Sequence, residues 1–257
     1  MAEECTHECG SCGVAGCGER TEQGPATLPT DAHSNIKHVI AVVSGKGGVG
    51  KSLVTSLLAS QMQKRGFKVG ILDADVTGPS IPKTFGITGH VVADIDGIFP
   101  AQTESGIKVM SVNLLLPSED APVAWRGPVV SGIISQFWGE THWGDIDYLF
   151  VDMPPGTSDV FLTVFQQLPV DGIVTVSAPQ ELVAMIVGKA VNLAHSLNVP
   201  VIGLVENMAY FKCDECGKKH FIFGEPQGEA VSKKYDIPAY ATLPLDPSFA
   251  SLCDAGK

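Results

Sequence analysis

Long apolar runs are missing from this 257-residue chain, and none reaches the length needed to cross a bilayer. The stretch Met1–Arg20 also lacks the apolar segment of a secretory signal. Basic charge is scarce: 17 Lys and Arg stand against 28 Asp and Glu, a formal net charge of −11. Nucleic acids and anionic membrane surfaces are gripped through basic faces, so neither is an expected partner. No internal repeat is visible. These absences lead to the expectation of a cytoplasmic protein. Thiols stay reduced in that compartment, so the seven cysteines suit metal ligation or redox chemistry better than structural disulfides. What the chain does have is core-forming sequence. Hydrophobic residues make up 44% of it, enough for one α/β domain that needs no staple.

Residues 1–37 are rich in Cys, Gly, Thr and Pro without hydrophobic periodicity, which predicts a flexible cysteine-bearing tail. The remainder, 38–257, reads as a single domain ending in a cysteine hairpin, a helix and a strand. Val39–Val43 is a short β-branched run and hence a buried strand. Lys51–Arg65 places Val54, Leu57, Leu58 and Met62 at helical spacing, with Gly66 as the C-cap. Lys68–Leu72, Tyr148–Val151, Gly172–Val176 and Val201–Val205 predict further buried strands, and Glu181–Leu197 a long helix. Alternation of this kind implies a doubly wound, mostly parallel sheet covered on both faces. Ligands of such sheets sit beyond the C-terminal ends of the strands, so the polar residues there are the ones that matter.

Ser44-Gly45-Lys46-Gly47-Gly48-Val49-Gly50-Lys51-Ser52 follows the first strand and opens the first helix, matching G-x-x-x-x-G-K-[ST] in its proper context. Glycines let the backbone wrap so that its N–H groups face phosphate oxygens, and the helix N-terminus adds partial positive charge. Lys51 is expected to reach the β- and γ-phosphates of ATP and Ser52 to ligate Mg²⁺. Lys46 reads either as a solvated charge or as a phosphate-binding lysine acting across a dimer interface, as an arginine finger does in trans.

Asp152 ends a buried strand in the Walker-B position, where a carboxylate suits Mg²⁺. Asp75 is placed to orient or deprotonate an attacking water. Asp73 reads as a similar strand-end acid or as a turn-forming Asp. Asn207 ends the Val201–Glu206 run, and its amide can pair with an adenine edge. The Asn-Lys-x-Asp motif that reads guanine is absent from the sequence, which favours ATP.

Cys213-Asp214-Glu215-Cys216 supplies half of a tetrahedral sulfur site, and no second C-x-x-C follows it. Spacing alone leaves three readings open. The pair could bridge a metal centre with a second chain, act as a redox dithiol, or form a zinc knuckle with His220. Cys5, Cys9, Cys12 and Cys17 could hold one cluster or Zn²⁺ within a single chain, with His7 a possible substitute ligand. Cys253 reads as a buried small residue.

Five segments carry a family resemblance: SGKGGVGKS at Ser44–Ser52, LDADVTGPSIP at Leu72–Pro82, WRGPVVSG at Trp125–Gly132, DYLFVDMPPGTSD at Asp147–Asp159 and VENMAYFKCDEC at Val205–Cys216. Together they resemble the Mrp-type iron–sulfur cluster carrier ATPases. These lie within the deviant-Walker-A group that includes MinD, ParA and the nitrogenase iron protein. The likeness spans roughly His38 to Asp246. It implies that Lys46 contacts the partner subunit's nucleotide, and that Asp75 and Asp152 are the switch I and switch II acids. It also implies that Cys213 and Cys216 bind a [4Fe–4S] cluster bridging a homodimer. The cysteine-rich tail is similar to the cluster-binding extension of one branch of the family. The implied activity is slow ATP hydrolysis coupled to delivery of the cluster to apo iron–sulfur proteins. The alternatives are a MinD/ParA-like positioning ATPase and a zinc-binding regulatory ATPase.

Overall fold

A computed structural model describes residues 27–76, 78, 80–95, 97–116, 127–156, 159–179 and 183–256. The N-terminal cysteines Cys5, Cys9, Cys12 and Cys17 and His7 lie outside the described residues. In chain order the elements begin with β1 (Asn35–Ser44), α1 (Lys51–Lys64), β2 (Val69–Asp73) and the short α2 (Ile81–Thr84). The small strands β3 (Val92–Ala93), β4 (Ile98–Phe99) and β5 (Ala101–Gln102) precede β6 (Lys108–Ser111). Then come α3 (Gly127–Gly139), β7 (Asp145–Asp152), α4 (Asp159–Gln167), β8 (Gly172–Ser177) and α5 (Val183–Ser196). The chain closes with β9 (Val201–Lys212), β10 (Lys219–His220), α6 (Gly228–Lys234), β11 (Tyr240–Pro244) and α7 (Pro247–Asp254).

The main sheet runs β10-β9-β8-β1-β7-β2-β6-β5, with β11 also paired to β9. Pairings among β9, β8, β1, β7, β2 and β6 are parallel, and those of β5 and β10 at the edges are antiparallel. Alternation along the central strands explains why both faces are covered. Ala41 and Val43 of β1 enter one core cluster with Leu149 and Val151 of β7, while Val42 and Phe150 enter the other. The first cluster takes in Ile134 and Phe137 of α3, Phe161 of α4 and Val187 of α5. The second takes Val54 and Ala59 of α1. Each fully buried aliphatic side chain of this kind contributes on the order of 1.5–3 kcal/mol.

Helix α1 stops where expected. Gly66 has φ +90° and its N–H bonds to the Gln63 carbonyl, a turn that a side chain would strain. The described residues reach back into the segment read as tail, from 27 to 37. β1 begins at Asn35, Leu28 N–H donates to the Gln167 carbonyl, and the Trp138 indole donates to the Leu28 carbonyl. Residues 27–34 therefore pack on the domain. Strand β9 is also longer than expected, with 12 residues. It continues past Asn207 because β11 pairs with it as far as Tyr210 and β10 pairs with Phe211 and Lys212. Cys253 is half-buried on α7 rather than buried. Among the described residues no helix is long and apolar enough to cross a membrane.

Candidate functional site

Register brings the strand ends together. Asp152 of β7 lies opposite both Val42 of β1 and Asp73 of β2, and Ser177 of β8 lies opposite Glu206 of β9. Beyond this edge the loop Gly45–Gly50 turns into α1. Gly48 and Gly50 both have φ +79°, left-handed backbone that glycine adopts without a steric penalty. At Gly45 an added Cβ would fall 1.9 Å from Ile186 Cγ2, so α5 packs directly on the loop. The loop faces a cleft of about 310 Å³ whose lining includes Gly47, Gly48, Lys51, Ser52, Asp75 and Pro155. Lys46 lines a narrower crevice on the other side, against Ser177 and Ile186.

A compact polar cluster sits at the cleft floor. Lys51 Nζ is 2.6 Å from Asp152 Oδ2, and the Ser52 hydroxyl donates to the same oxygen at 2.6 Å. The Thr55 hydroxyl donates to Asp152 Oδ1 at 2.6 Å. Asp152 is 0% exposed and Lys51 6%. Burial of a charge is tolerated when it is paired and hydrogen-bonded, as this one is. Asp73 lies beside the pair, 1% exposed, accepting from the Ser111 hydroxyl and the Asp75 N–H. Burial foremost, then the charge of Asp152, pushes the Asp73 carboxyl well above the usual carboxylate range, and Lys51 pulls against this. Asp75 itself is half-buried at the cleft edge.

The donor set suits a hydrated magnesium ion arriving with a nucleotide. Ser52 Oγ and the Asp152 carboxylate are hard oxygen ligands on the floor of an open cleft. A bound ion would supply charge neutralisation for phosphate oxygens.

Asn207 of β9 contacts the phosphate loop. It is 1% exposed, and its side-chain amide donates to the Val49 carbonyl at 2.9 Å, bracing the phosphate loop from beneath. Two residues escaped sequence reasoning. Thr55 stands one helical turn after Lys51, an i,i+4 relation that puts it on the same face. Glu206 is 0% exposed and accepts from Gln227 N–H, Gly228 N–H and the Tyr240 hydroxyl, tying α6 and β11 to β9. A charged residue inside a buried strand run was its only signal.

Beyond Asn207, β9 leads directly to the cysteine hairpin. Cys213 N–H donates to the Lys218 carbonyl and Gly217 N–H to the Cys213 carbonyl, with Gly217 at φ +71°. Both thiols are free, Cys216 exposed and Cys213 half-buried. Backbone N–H groups of Cys216 and Glu215, with the Cys216 side chain, hold the Cys213 thiol below its ordinary range and favour the thiolate. Among the described residues no third His, Cys, Asp or Glu lies close enough to complete a metal site with these thiols, His220 included. Phe221, Ile222 and Phe223 follow as exposed apolar residues.

Comparison with known proteins agrees with this geometry. Residues 35–257 match the ParA family model described as NUBPL iron-transfer P-loop NTPase. An iron-sulfur cluster carrier protein of Clostridium perfringens is 50% identical over 241 residues, covering 91% of this chain and 84% of the relative. A nucleotide-binding protein from Archaeoglobus fulgidus, solved with ADP, superposes with TM-score 0.78 at 46% identity, covering 86% of this chain and 87% of that one. The septum site-determining protein MinD of Pyrococcus horikoshii, solved with Mg-ADP, has TM-score 0.59 at 20% identity, covering 86% of each chain. That last likeness is one of fold alone.

Proposed function

The chain belongs to the ParA family of NUBPL iron-transfer P-loop NTPases, and on that footing we propose that it is an ATP-dependent carrier of iron–sulfur clusters. The cargo is a [4Fe–4S] cluster held between two copies of the chain and passed to apo iron–sulfur proteins. The observation that carries this reading is the open pair Cys213 and Cys216. Two soft ligands stand at the surface with one thiol biased toward thiolate, and no third ligand from the described residues completes the site. A four-sulfur site then needs a second chain, and two-fold symmetry supplies one with an identical pair. The exposed Phe221, Ile222 and Phe223 would lose water on the same association.

ATP binds in the cleft over Gly45–Ser52. Lys51 leaves Asp152 for the phosphates, Ser52 and Asp152 hold Mg²⁺, Asp75 positions the attacking water, and Lys46 reaches the partner's nucleotide. Turnover is slow, because it serves to switch dimer geometry. β9 carries the connection: the same strand braces the loop through Asn207 and ends at Lys212, next to Cys213. Cys5, Cys9, Cys12 and Cys17 offer a second cluster-binding set.

Anaerobic reconstitution, read by absorption and iron counting, tests the bridging site. The expected result is about one four-iron cluster per dimer, lost in Cys213→Ala/Cys216→Ala. Full retention of iron at this site in the double variant would refute the assignment. An ATPase assay with Asp75→Ala as the control tests turnover separately.

A further inference from the structure

At the end of the molecule opposite the phosphate loop, three potential ligands converge. Asp31 and His33 belong to the segment that precedes β1, and His142 to the turn that precedes β7. The ten-residue strand β1 separates them from the loop, which at about 3.3 Å per residue is some 30 Å. We propose that Asp31, His33 and His142 form a binding site for a divalent first-row transition ion of the zinc class, which staples residues 27–34 to the P-loop domain. This does not rest on the cluster-carrier reading.

His142 Nδ1 lies 2.8 Å from Asp31 Oδ2, and His33 Nδ1 lies 3.6 Å from Asp31 Oδ1. No two of the three ligand atoms are more than 4.8 Å apart. Metal bonds of about 2.1 Å hold neighbouring ligands roughly 3.0–3.4 Å apart at octahedral to tetrahedral angles. The two contacts fall on different oxygens of Asp31, one just short of that range and one just beyond it, and the widest separation has to close when an ion binds. The group free to close it is His33, whose side chain is 75% exposed on a turn.

The other two ligands are already oriented. The His142 ring lies between Phe99 and His33, with centroids 4.8 and 5.1 Å away. Gly97 closes its far edge, since a Cβ there would come within 2.8 Å of Nε2. The Nδ1 edge is left facing Asp31. The Asp31 carboxylate is 12% exposed and accepts the His33 N–H at 2.8 Å. As a carboxylate it is an anionic ligand at neutral pH, as metal binding requires.

The donor set fixes the class of ion. Two imidazoles and one carboxylate favour Zn²⁺, Co²⁺ or Fe²⁺ over Mg²⁺ and Ca²⁺, which prefer all-oxygen shells, and over Cu⁺, which prefers sulfur. Water completes the coordination. The staple is useful because Asp31 and His33 arrive from the N-terminal side and His142 from the domain body.

Co²⁺ titration of the full-length protein tests the site, because cobalt reports its own ligands. A cobalt–thiolate centre gives intense charge-transfer absorption, whereas a nitrogen- and oxygen-ligated ion gives only weak d–d bands. The wild type should bind one Co²⁺ of the second kind beyond whatever the cysteines take. Zn²⁺ should displace it, while excess Mg²⁺ should not. His33→Ala, at an exposed position that the fold does not need, should weaken that equivalent at least tenfold, and His142→Asn should remove it. Cys213→Ser/Cys216→Ser should leave it in place. Unchanged binding in His33→Ala, or cobalt spectra of thiolate type alone, would overturn the proposal.

Discussion

Replacing Lys51 by Ala should unfold the nucleotide-free protein more easily, as well as abolish ATP binding. Lys51 and Asp152 form an ion pair at 2.6 Å with exposures of 6% and 0%. Removing one partner of a buried pair costs about 3–5 kcal/mol, because the other charge is left uncompensated. Here the Ser52 and Thr55 hydroxyls still donate to Asp152. Those bonds are present in both proteins and keep Asp152 partly satisfied, so the loss falls at the low end of that range, about 3 kcal/mol. For a domain of this size that lowers Tm by on the order of 10 °C. The assay is urea unfolding of nucleotide-free protein, with Lys51→Ala/Asp152→Asn as the second arm. Neutralising Asp152 should restore most of the stability and none of the ATP binding, because stability depends on charge balance whereas the nucleotide needs the lysine itself. The deficit should also shrink as pH falls. Lys51 restrains the upward shift of Asp73. Without it a proton on Asp73 binds more tightly and relieves the repulsion with Asp152. A urea midpoint for Lys51→Ala within error of wild type at pH 8, or a double variant no more stable than the single one, would refute the reasoning.

Three other substitutions test neighbouring parts of the site. Folding raises the Asp73 carboxyl. Its stability contribution is therefore full below its unfolded value near 4 and is lost as pH rises toward the folded value. Asp73→Asn should flatten the decline in urea midpoint of the nucleotide-free protein above about pH 5; parallel profiles for the two proteins would count against a raised carboxyl. Asn207→Ala leaves the buried Val49 carbonyl without its donor. It should cost about 1–3 kcal/mol in urea unfolding and weaken ATP binding, and an unchanged midpoint would show that the brace contributes nothing. Gly48 and Gly50 share φ +79°, but a Cβ at Gly48 meets open space while one at Gly50 falls 2.2 Å from Asn207 Nδ2. Gly48→Ala should therefore lose only about 1–2 kcal/mol. Gly50→Ala should lose more and also impair ATP binding, and equal thermal shifts would remove the close-contact argument.

The phosphate loop was legible because its chemistry is local. Glycines that permit φ +79°, a lysine and a serine all fall within nine consecutive residues, and the strand and helix around them have periodicities visible in the same window. The central strands were legible for a related reason. Val39–Val43 and Tyr148–Val151 are apolar on both faces, which only a doubly covered sheet accommodates. Their ends were not legible. The mixed polar and apolar start of β1 extends the strand by pairing, as Asn35 does opposite Asp145 and Ile36 opposite Ile146, and no local pattern announces that. Helix α3 went unread because Gly127–Gly139 contains no charged residue to mark a solvent face.

Asp73 and Asn207 show where local reading ends. Each was visible as a polar residue at a strand end, yet its role depends on a neighbour far away in sequence. Asp73 becomes a buried acid with a raised carboxyl only because register sets β7 beside β2 and delivers Asp152. Asn207 becomes a brace only because β9 passes under a loop 158 positions earlier in the chain. The same strand then continues to Lys212, and Cys213 follows it directly. Motif reading treats the glycine loop and the C-x-x-C as separate signatures, since each carries its own chemistry. In the fold β9 connects them: Asn207 touches the loop, and the strand ends one residue before Cys213. Past Glu206 the β8 ladder has ended, and β9 is held by β11 as far as Tyr210 and then by β10 at Phe211 and Lys212, with Met208 at φ +56° marking a local break in the extended backbone. A movement of the phosphate loop that changes the Val49–Asn207 contact therefore acts one residue from that break, on the strand that leads to the thiols.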